Sequence, residues 1–114
     1  MLKKLSLRLA HNEVAEFSIG ENILSEPSRR FYFITSQQDT ARLGGWRHYE
    51  SENLLVLVRG QVDVITDRGS VTLLEHGDAV LIEKGVKHEL VMGRQNDMLL
   101  VVCTNVYDSQ DFHR

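Results

Sequence analysis

The sequence predicts an all-β fold with one domain spanning residues 1–114. Three observations support this prediction: the strand-like segments are short, turns that contain glycine separate them, and no segment has a sustained helical period. Short strands that recur about every 8–12 residues with turn signals between them are typical of a β-sandwich or barrel. A chain of 114 residues is long enough for a single hydrophobic core of modest size.

The N-terminal half contains three strand signals before the first long apolar run. Apolar and polar residues alternate in KLSLRLA and in AEFSI, which is the period of a half-buried strand. RFYFIT is rich in the aromatic and β-branched residues that favour strands. The stretch GGWRHYESENLLVLVRG then runs from polar, ring-bearing residues into apolar β-formers. It predicts a strand that enters the barrel and ends at Gly60.

The C-terminal half alternates between strands and tight turns. Breaks at residues 59–60, 67–69, 75–78 and 83–85 each contain a glycine, and an apolar segment follows each of them. Residues 97–104 form the last and most continuous apolar segment, and it contains the only cysteine, Cys103. Because this cysteine lies within apolar residues, we expect it to be a small buried hydrophobe and not a nucleophile.

Composition excludes several classes of partner. The net charge is −3, from 13 basic and 16 acidic residues that are interspersed, so no basic face for nucleic acid is expected. No apolar run approaches the roughly 20 residues that a membrane span requires. A single cysteine permits no disulfide within the chain and favours a reducing compartment, which predicts a cytoplasmic protein.

Two segments resemble the paired motifs of the cupin superfamily of jelly-roll barrels. In GDAVLIEKGVKHELVM the spacing from Gly77 through Gly85 to His88 matches the second cupin motif, with Glu83 in place of the usual proline. Counting back from Gly60 through the first motif puts His48 in its second histidine position. Its first histidine position is occupied by Trp46, and its glutamate position by Asn53.

This pattern bears directly on metal binding. The two motifs retain His48 and His88, whereas a catalytic metal site normally has three protein ligands. We therefore expect both histidines to line a metal-free cavity, with no cofactor. The alternative is a metal-dependent cupin that uses His48, His88 and either Glu50 or Glu52.

The chain also resembles a narrower group of RmlC-like cupins, the WxcM-like sugar-nucleotide 3,4-ketoisomerases. The resemblance rests on four segments: RFYFI, ARLGGWRH, VKHE and the tail VYDSQDFHR. Three positions depart from the family pattern. Trp46 replaces the first histidine, Leu43 replaces the second arginine of an Arg-Arg pair, and Glu50 replaces a lysine.

The resemblance implies a homodimer that exchanges N-terminal strands and binds a nucleotide sugar. It implies an isomerase that moves a keto group by proton transfer next to a carbonyl, with His48 as the catalytic acid–base residue. The other residues expected to bind the ligand are Arg42, Trp46, Asn53, Tyr32 and His88. The alternative is a cupin that binds or senses a small molecule without catalysis.

Overall fold

Alternating apolar and polar residues build the whole described structure from β-strands. The computed structural model describes residues 2, 4–46 and 50–106, without the side chains of residues 9, 11, 17–19 and 46. Eleven strands lie within this described part, and no helix does. In chain order they are β1 (Lys4–Ser6), β2 (Arg8–His11), β3 (Glu16–Ile19), β4 (Arg30–Thr35), β5 (Ala41–Trp46), β6 (Asn53–Arg59), β7 (Val62–Thr66), β8 (Gly69–Leu73), β9 (Asp78–Ile82), β10 (His88–Met92) and β11 (Met98–Cys103).

The strands form two main antiparallel sheets and one separate hairpin. The five-stranded sheet has the order β1-β9-β6-β11-β4, and the four-stranded sheet has the order β5-β10-β7-β8. Strands β2 and β3 pair with each other. The prediction of an all-β fold is therefore confirmed.

The hydrophobic core lies between the inner faces of the two main sheets. On β6 the alternation sends Leu55 and Leu57 into this core, and β7, β10 and β11 contribute residues such as Val64, Met92 and Leu99. These side chains are between 0% and 1% exposed. Burying each of them contributes about 1.5–3 kcal/mol, so this interior is the main source of stability.

A second, smaller cluster covers the outer face of the five-stranded sheet. Leu54 and Val56 of β6 point outward and pack against Leu5 of β1 and against Ile23 and Leu24, which precede β4. Strand β6 is therefore buried on both faces. This accounts for its nearly continuous apolar sequence, since a strand with one solvated face would alternate.

The predicted strands agree with the observed ones, with one informative exception. The segment RFYFIT coincides with β4. KLSLRLA, expected to be one strand, is divided at Leu7, because β1 pairs with β9 whereas β2 pairs with β3. Alternation along a segment does not indicate that the segment passes from one sheet to another, so the sequence could not show this division.

Candidate ligand-binding site at one end of the barrel

The strand ends place several polar residues at the same end of the interior. Strand β9 ends at Ile82 and β10 begins at His88, so the short connection between them keeps these ends together. Asn53 begins β6 and is paired in register with both Ile82 and Cys103. Cys103 is in turn paired with Arg30 at the start of β4. We call this region the polar end; its described members are Arg30, Tyr32, Ser51, Asn53, His88 and Cys103.

Tyr32 reaches the interior because β4 alternates. Its neighbours Phe31 and Phe33 are exposed on the outer face, while Tyr32 packs against the inner core. The guanidinium of Arg30 lies over the Tyr32 ring. Burial raises the pKa of the Tyr32 hydroxyl and nearby Cys103 raises it further, while Arg30 acts in the opposite direction. The hydroxyl therefore stays protonated at neutral pH and is available as a hydrogen-bond donor.

Asn53 lies on the inner face, as Leu55 does two residues later. It is only 3% exposed, and its Oδ1 accepts a hydrogen bond of 2.8 Å from the hydroxyl of Ser51. Burial raises the pKa of the Cys103 thiol, while Arg30 and the Ser51 hydroxyl lower it. The net effect keeps the thiol neutral, as expected for a buried structural cysteine.

His88 is the buried histidine of the described chain, 6% exposed, at the start of β10. Its Nδ1 lies 3.2 Å from the carbonyl oxygen of Val86. In register it is opposite Trp46 at the end of β5, and the pairing is irregular between His88 and Glu89. Gly44 and Gly45 allow this irregularity, since both have positive φ angles.

Arg42 does not belong to the polar end. Strand β5 sends Ala41 and Leu43 into the inner core, so Arg42 points to the opposite face, where it forms an ion pair with Glu89. Its side chain is 66% exposed. This placement corrects the expectation that Arg42 lines the interior with the other candidate residues.

Two of the expected residues fall where the structure gives no side chain. His48, with Arg47 and Tyr49, lies outside the described residues, and Trp46 is described by its backbone alone. The predicted catalytic role of His48 and the predicted ligand contact of Trp46 therefore stay predictions. The structure does bring together three of the expected residues, Tyr32, Asn53 and His88.

Glu52 was a candidate metal ligand, but its carboxylate has another role. Its Oε1 accepts hydrogen bonds from the backbone N–H and the hydroxyl of Ser25, at 2.8 and 3.1 Å. Its backbone N–H donates to the Thr104 hydroxyl at 2.9 Å. Glu52 thus fastens the segment before β4 to the end of β11. Within residues 2, 4–46 and 50–106, no group of three or more potential metal ligands occurs.

The polar end is rich in hydrogen-bond donors. Arg30, the Tyr32 hydroxyl and the Asn53 amide all carry N–H or O–H groups at this end of the interior. Such a set is suited to a ligand that presents acceptor oxygens, for example a carbonyl, an enediolate or a phosphate. The sequence analysis did not predict Arg30 or Ser51. Arg30 was nonetheless identifiable, because the alternation of RFYFIT puts it on the same face as Tyr32.

Two facing antiparallel sheets with a polar end to their shared interior define the chain as a cupin-type jelly-roll barrel. A family model described as "FdtA: WxcM-like, C-terminal" matches residues 4–114. The chain belongs to this family. In the part of the chain that is described, no helix is long and apolar enough to cross a membrane.

Solved structures agree on the fold. A 3,4-ketoisomerase from Helicobacter canadensis is 19% identical with a TM-score of 0.88, covering 99% of this chain and 90% of that one. WlaRB, a TDP-quinovose 3,4-ketoisomerase from Campylobacter jejuni, is 22% identical with a TM-score of 0.88, covering 99% and 92%. The epimerase RmlC from Legionella pneumophila is 16% identical with a TM-score of 0.82, covering 97% and 70%. A comparison with curated protein sequences gives no match.

Proposed function

We propose that this protein is a sugar-nucleotide 3,4-ketoisomerase that acts on a TDP-4-keto-6-deoxyhexose. The observation that carries the proposal is the convergence of Tyr32, Asn53 and His88 at one end of a barrel that belongs to the WxcM-like family. A family neighbour, QdtA from Thermoanaerobacterium thermosaccharolyticum, is described in complex with TDP-4-keto-6-deoxyglucose. The donor-rich polar end suits a ligand of this chemistry, which presents a ketone and two phosphates.

The proposed reaction is a proton transfer between neighbouring carbons of the sugar. A base takes the proton from C3 while the C4 carbonyl oxygen gains one, which gives an enediol. Return of a proton to C4, with loss of the C3 hydroxyl proton, gives the 3-ketone. Donors such as the Tyr32 hydroxyl and the Asn53 amide stabilise the negative charge that develops on oxygen.

We assign the role of acid–base residue to His48. A histidine with an ordinary pKa near 6.5 can both accept and return a proton at neutral pH. His48 holds the second histidine position of the first motif, and the strand before it ends opposite His88. Trp46 and His88 would then contact the sugar or the base, whereas Arg42, on the outer face, would reach a ligand only from outside the interior.

The experiment is an isotope exchange in deuterated buffer. With TDP-4-keto-6-deoxyglucose as substrate, we expect deuterium to enter the sugar at C3 or C4, detected by NMR. His48→Ala should lower the exchange rate by about 10²–10⁴-fold. His76→Ala is the matched control, because His76 is exposed at the opposite end of β9 and binds the carbonyl of Val58. Equal exchange rates for His48→Ala and wild type would contradict the assignment.

A second candidate function is ligand binding without catalysis. The observation that favours it is the replacement of the first motif histidine by Trp46, which removes an acid–base group. This function predicts a higher melting temperature with the TDP-sugar and no deuterium incorporation. A metal-dependent function is less well supported, because the Glu52 carboxylate is bonded to Ser25.

We also propose that two copies associate into a homodimer. The outer face of β4 exposes Phe31 and Phe33, at 67% and 55%, and their rings pack edge to face 6.3 Å apart. Exposed aromatic residues that adjoin further apolar surface mark interfaces more often than solvent. A cytoplasmic location is also proposed, and the single free thiol of Cys103 supports it.

A further inference from the structure

The Asn53 amide occupies a position whose chemistry differs from that of its neighbours. It is 3% exposed and lies on the inner face of β6, paired with Cys103 and Ile82. A buried carboxamide has an acceptor oxygen and a donor NH₂ group at its two ends. Which of these faces the interior decides which atoms of a ligand it can bind.

Ser51 determines this choice. Its hydroxyl donates to Oδ1 of Asn53 across 2.8 Å, and both side chains are buried. The oxygen end of the amide is thereby occupied by a residue two positions earlier in the chain. No described residue accepts a hydrogen bond from Nδ2, so the NH₂ group is the end left for a ligand.

The surroundings of Ser51 support the same direction. The Ser51 hydroxyl also lies close to the thiol of Cys103, and burial keeps this thiol protonated. A protonated thiol is a weak donor, so it can donate to the Ser51 oxygen while the Ser51 hydrogen points to Asn53. Both contacts of Ser51 are satisfied when it donates to the amide oxygen.

We infer that Ser51 is a positioning residue that holds the Asn53 carboxamide so that its NH₂ group donates to an acceptor oxygen of the bound ligand. This inference rests on the proposed function for the identity of that ligand, a TDP-4-keto-6-deoxyhexose. The carboxylate that cupins usually carry at this position accepts hydrogen bonds or binds a cation. An amide NH₂ group instead selects a ketone, enediolate or phosphate oxygen.

The orientation is tested without any ligand. In the NMR spectrum of the full chain, the Asn53 side-chain amide protons are assigned by their loss in Asn53→Asp. We expect weak nuclear Overhauser effects between these protons and the Ser51 β protons, because Oδ1 is the end that faces Ser51. Strong effects would show that NH₂ faces Ser51, and would overturn the inference whatever the protein binds.

The positioning role is tested with TDP-4-keto-6-deoxyglucose as the probe, by calorimetry and by deuterium exchange. Ser51→Ala should weaken binding about tenfold, the value of one hydrogen bond of roughly 1.4 kcal/mol. Ser51→Thr, which keeps the hydroxyl, should stay within about twofold of wild type. Asn53→Asp should bind more weakly than Ser51→Ala, because a carboxylate has no donor and repels phosphate.

Melting temperatures of all variants separate loss of function from loss of folding. Unchanged binding by folded Ser51→Ala would overturn the positioning role. Failure of wild type to bind the probe, with the amide orientation as expected, would contradict the proposed function and the choice of ligand, but leave the orientation established. The two failures are therefore distinguishable.

Discussion

The guanidinium carbon of Arg30 lies 4.5 Å from the centre of the Tyr32 ring, so a cation covers one face of the tyrosine at the polar end. Because both residues are on the inner side of β4, the pair fixes the tyrosine where it can meet a ligand. Cation–π contacts of this kind contribute about 0.5–1 kcal/mol at partly exposed sites. The pair also acts on the ionisation of the tyrosine, because a nearby positive charge favours the charged tyrosinate.

Replacing Arg30 by glutamine is expected to raise the pKa of Tyr32 above its already raised value. Burial is the main cause of the present shift, and Arg30 opposes it, so removing the cation removes the opposition. The measurement is the absorbance of tyrosinate as the pH is increased, with Tyr32→Phe identifying which of the three tyrosines is responsible. A pKa that falls in Arg30→Gln would contradict the described contact.

Gly44→Ala is expected to destabilise the protein more than Gly45→Ala. A Cβ on Gly44 would lie 2.8 Å from the Cα of Glu89 and from the carbonyl oxygen of His88, and backbone atoms cannot easily move away. A Cβ on Gly45 would meet nothing within 4 Å. Both positions have positive φ angles, so both substitutions carry backbone strain of about 1–3 kcal/mol, and the collision adds to it only at Gly44.

Urea denaturation of the two variants gives the comparison directly. We expect a clearly lower free energy of unfolding for Gly44→Ala, and a loss of ligand binding at lower denaturant concentration, since His88 adjoins the collision. Equal losses for the two variants would mean that β5 and β10 are not paired as closely as described.

Asp78 is expected to make stability fall at acid pH. Burial by itself raises the pKa of Asp78, but hydrogen bonds from the backbone N–H groups of Leu74 and Glu75, with the ammonium of Lys4, lower it below its ordinary value. A lowered pKa in the folded state means that this stabilisation is complete above the unfolded value near 3.9. It is lost as the pH falls through the folded value.

Asp78→Ala should therefore cost about 1–3 kcal/mol at pH 7, because two backbone donors lose their acceptor. The difference between wild type and variant should shrink as the pH falls below about 4. Free energies of unfolding, measured across pH, give this difference. A difference that grows toward acid pH would contradict the assignment.

Phe31→Glu combined with Phe33→Glu is expected to prevent self-association. The two rings are exposed in one chain, and covering them with a second copy would bury apolar surface, whereas carboxylates there would repel each other. Analytical ultracentrifugation should show a dimer for wild type and a monomer for the double variant. Leu74→Glu, another exposed apolar position, is the control and should remain dimeric. A wild-type monomer would contradict the proposed homodimer.

The fold was largely predictable from sequence because alternation and glycine turns are local signals. Strand β4 and the strands after Gly60 lie close to their predicted positions. Strand β5 gave a weaker signal, since Gly44 and Gly45 interrupt its pattern and pairing with β10 supplies the missing stability.

The site was predictable only in part. Spacing identified Asn53 and His88, whose positions depend on where strands begin. It misplaced Arg42, because an exposed ion pair with Glu89 and the parity of β5 are not visible in a motif count. It missed Ser51, whose role depends on a short contact between neighbouring side chains at the start of a strand.

The pairing of β4 with β11 has a consequence for biosynthesis. Strand β4 has no other neighbour in its sheet, and β11 is the last described strand of the chain. At translation rates of roughly 5–20 residues per second, the aromatic edge of β4 leaves the ribosome several seconds before its partner. The nascent polypeptide therefore presents a sticky, unzipped ribbon during that interval, and chaperone capture or coaggregation on polysomes competes with closure of the barrel.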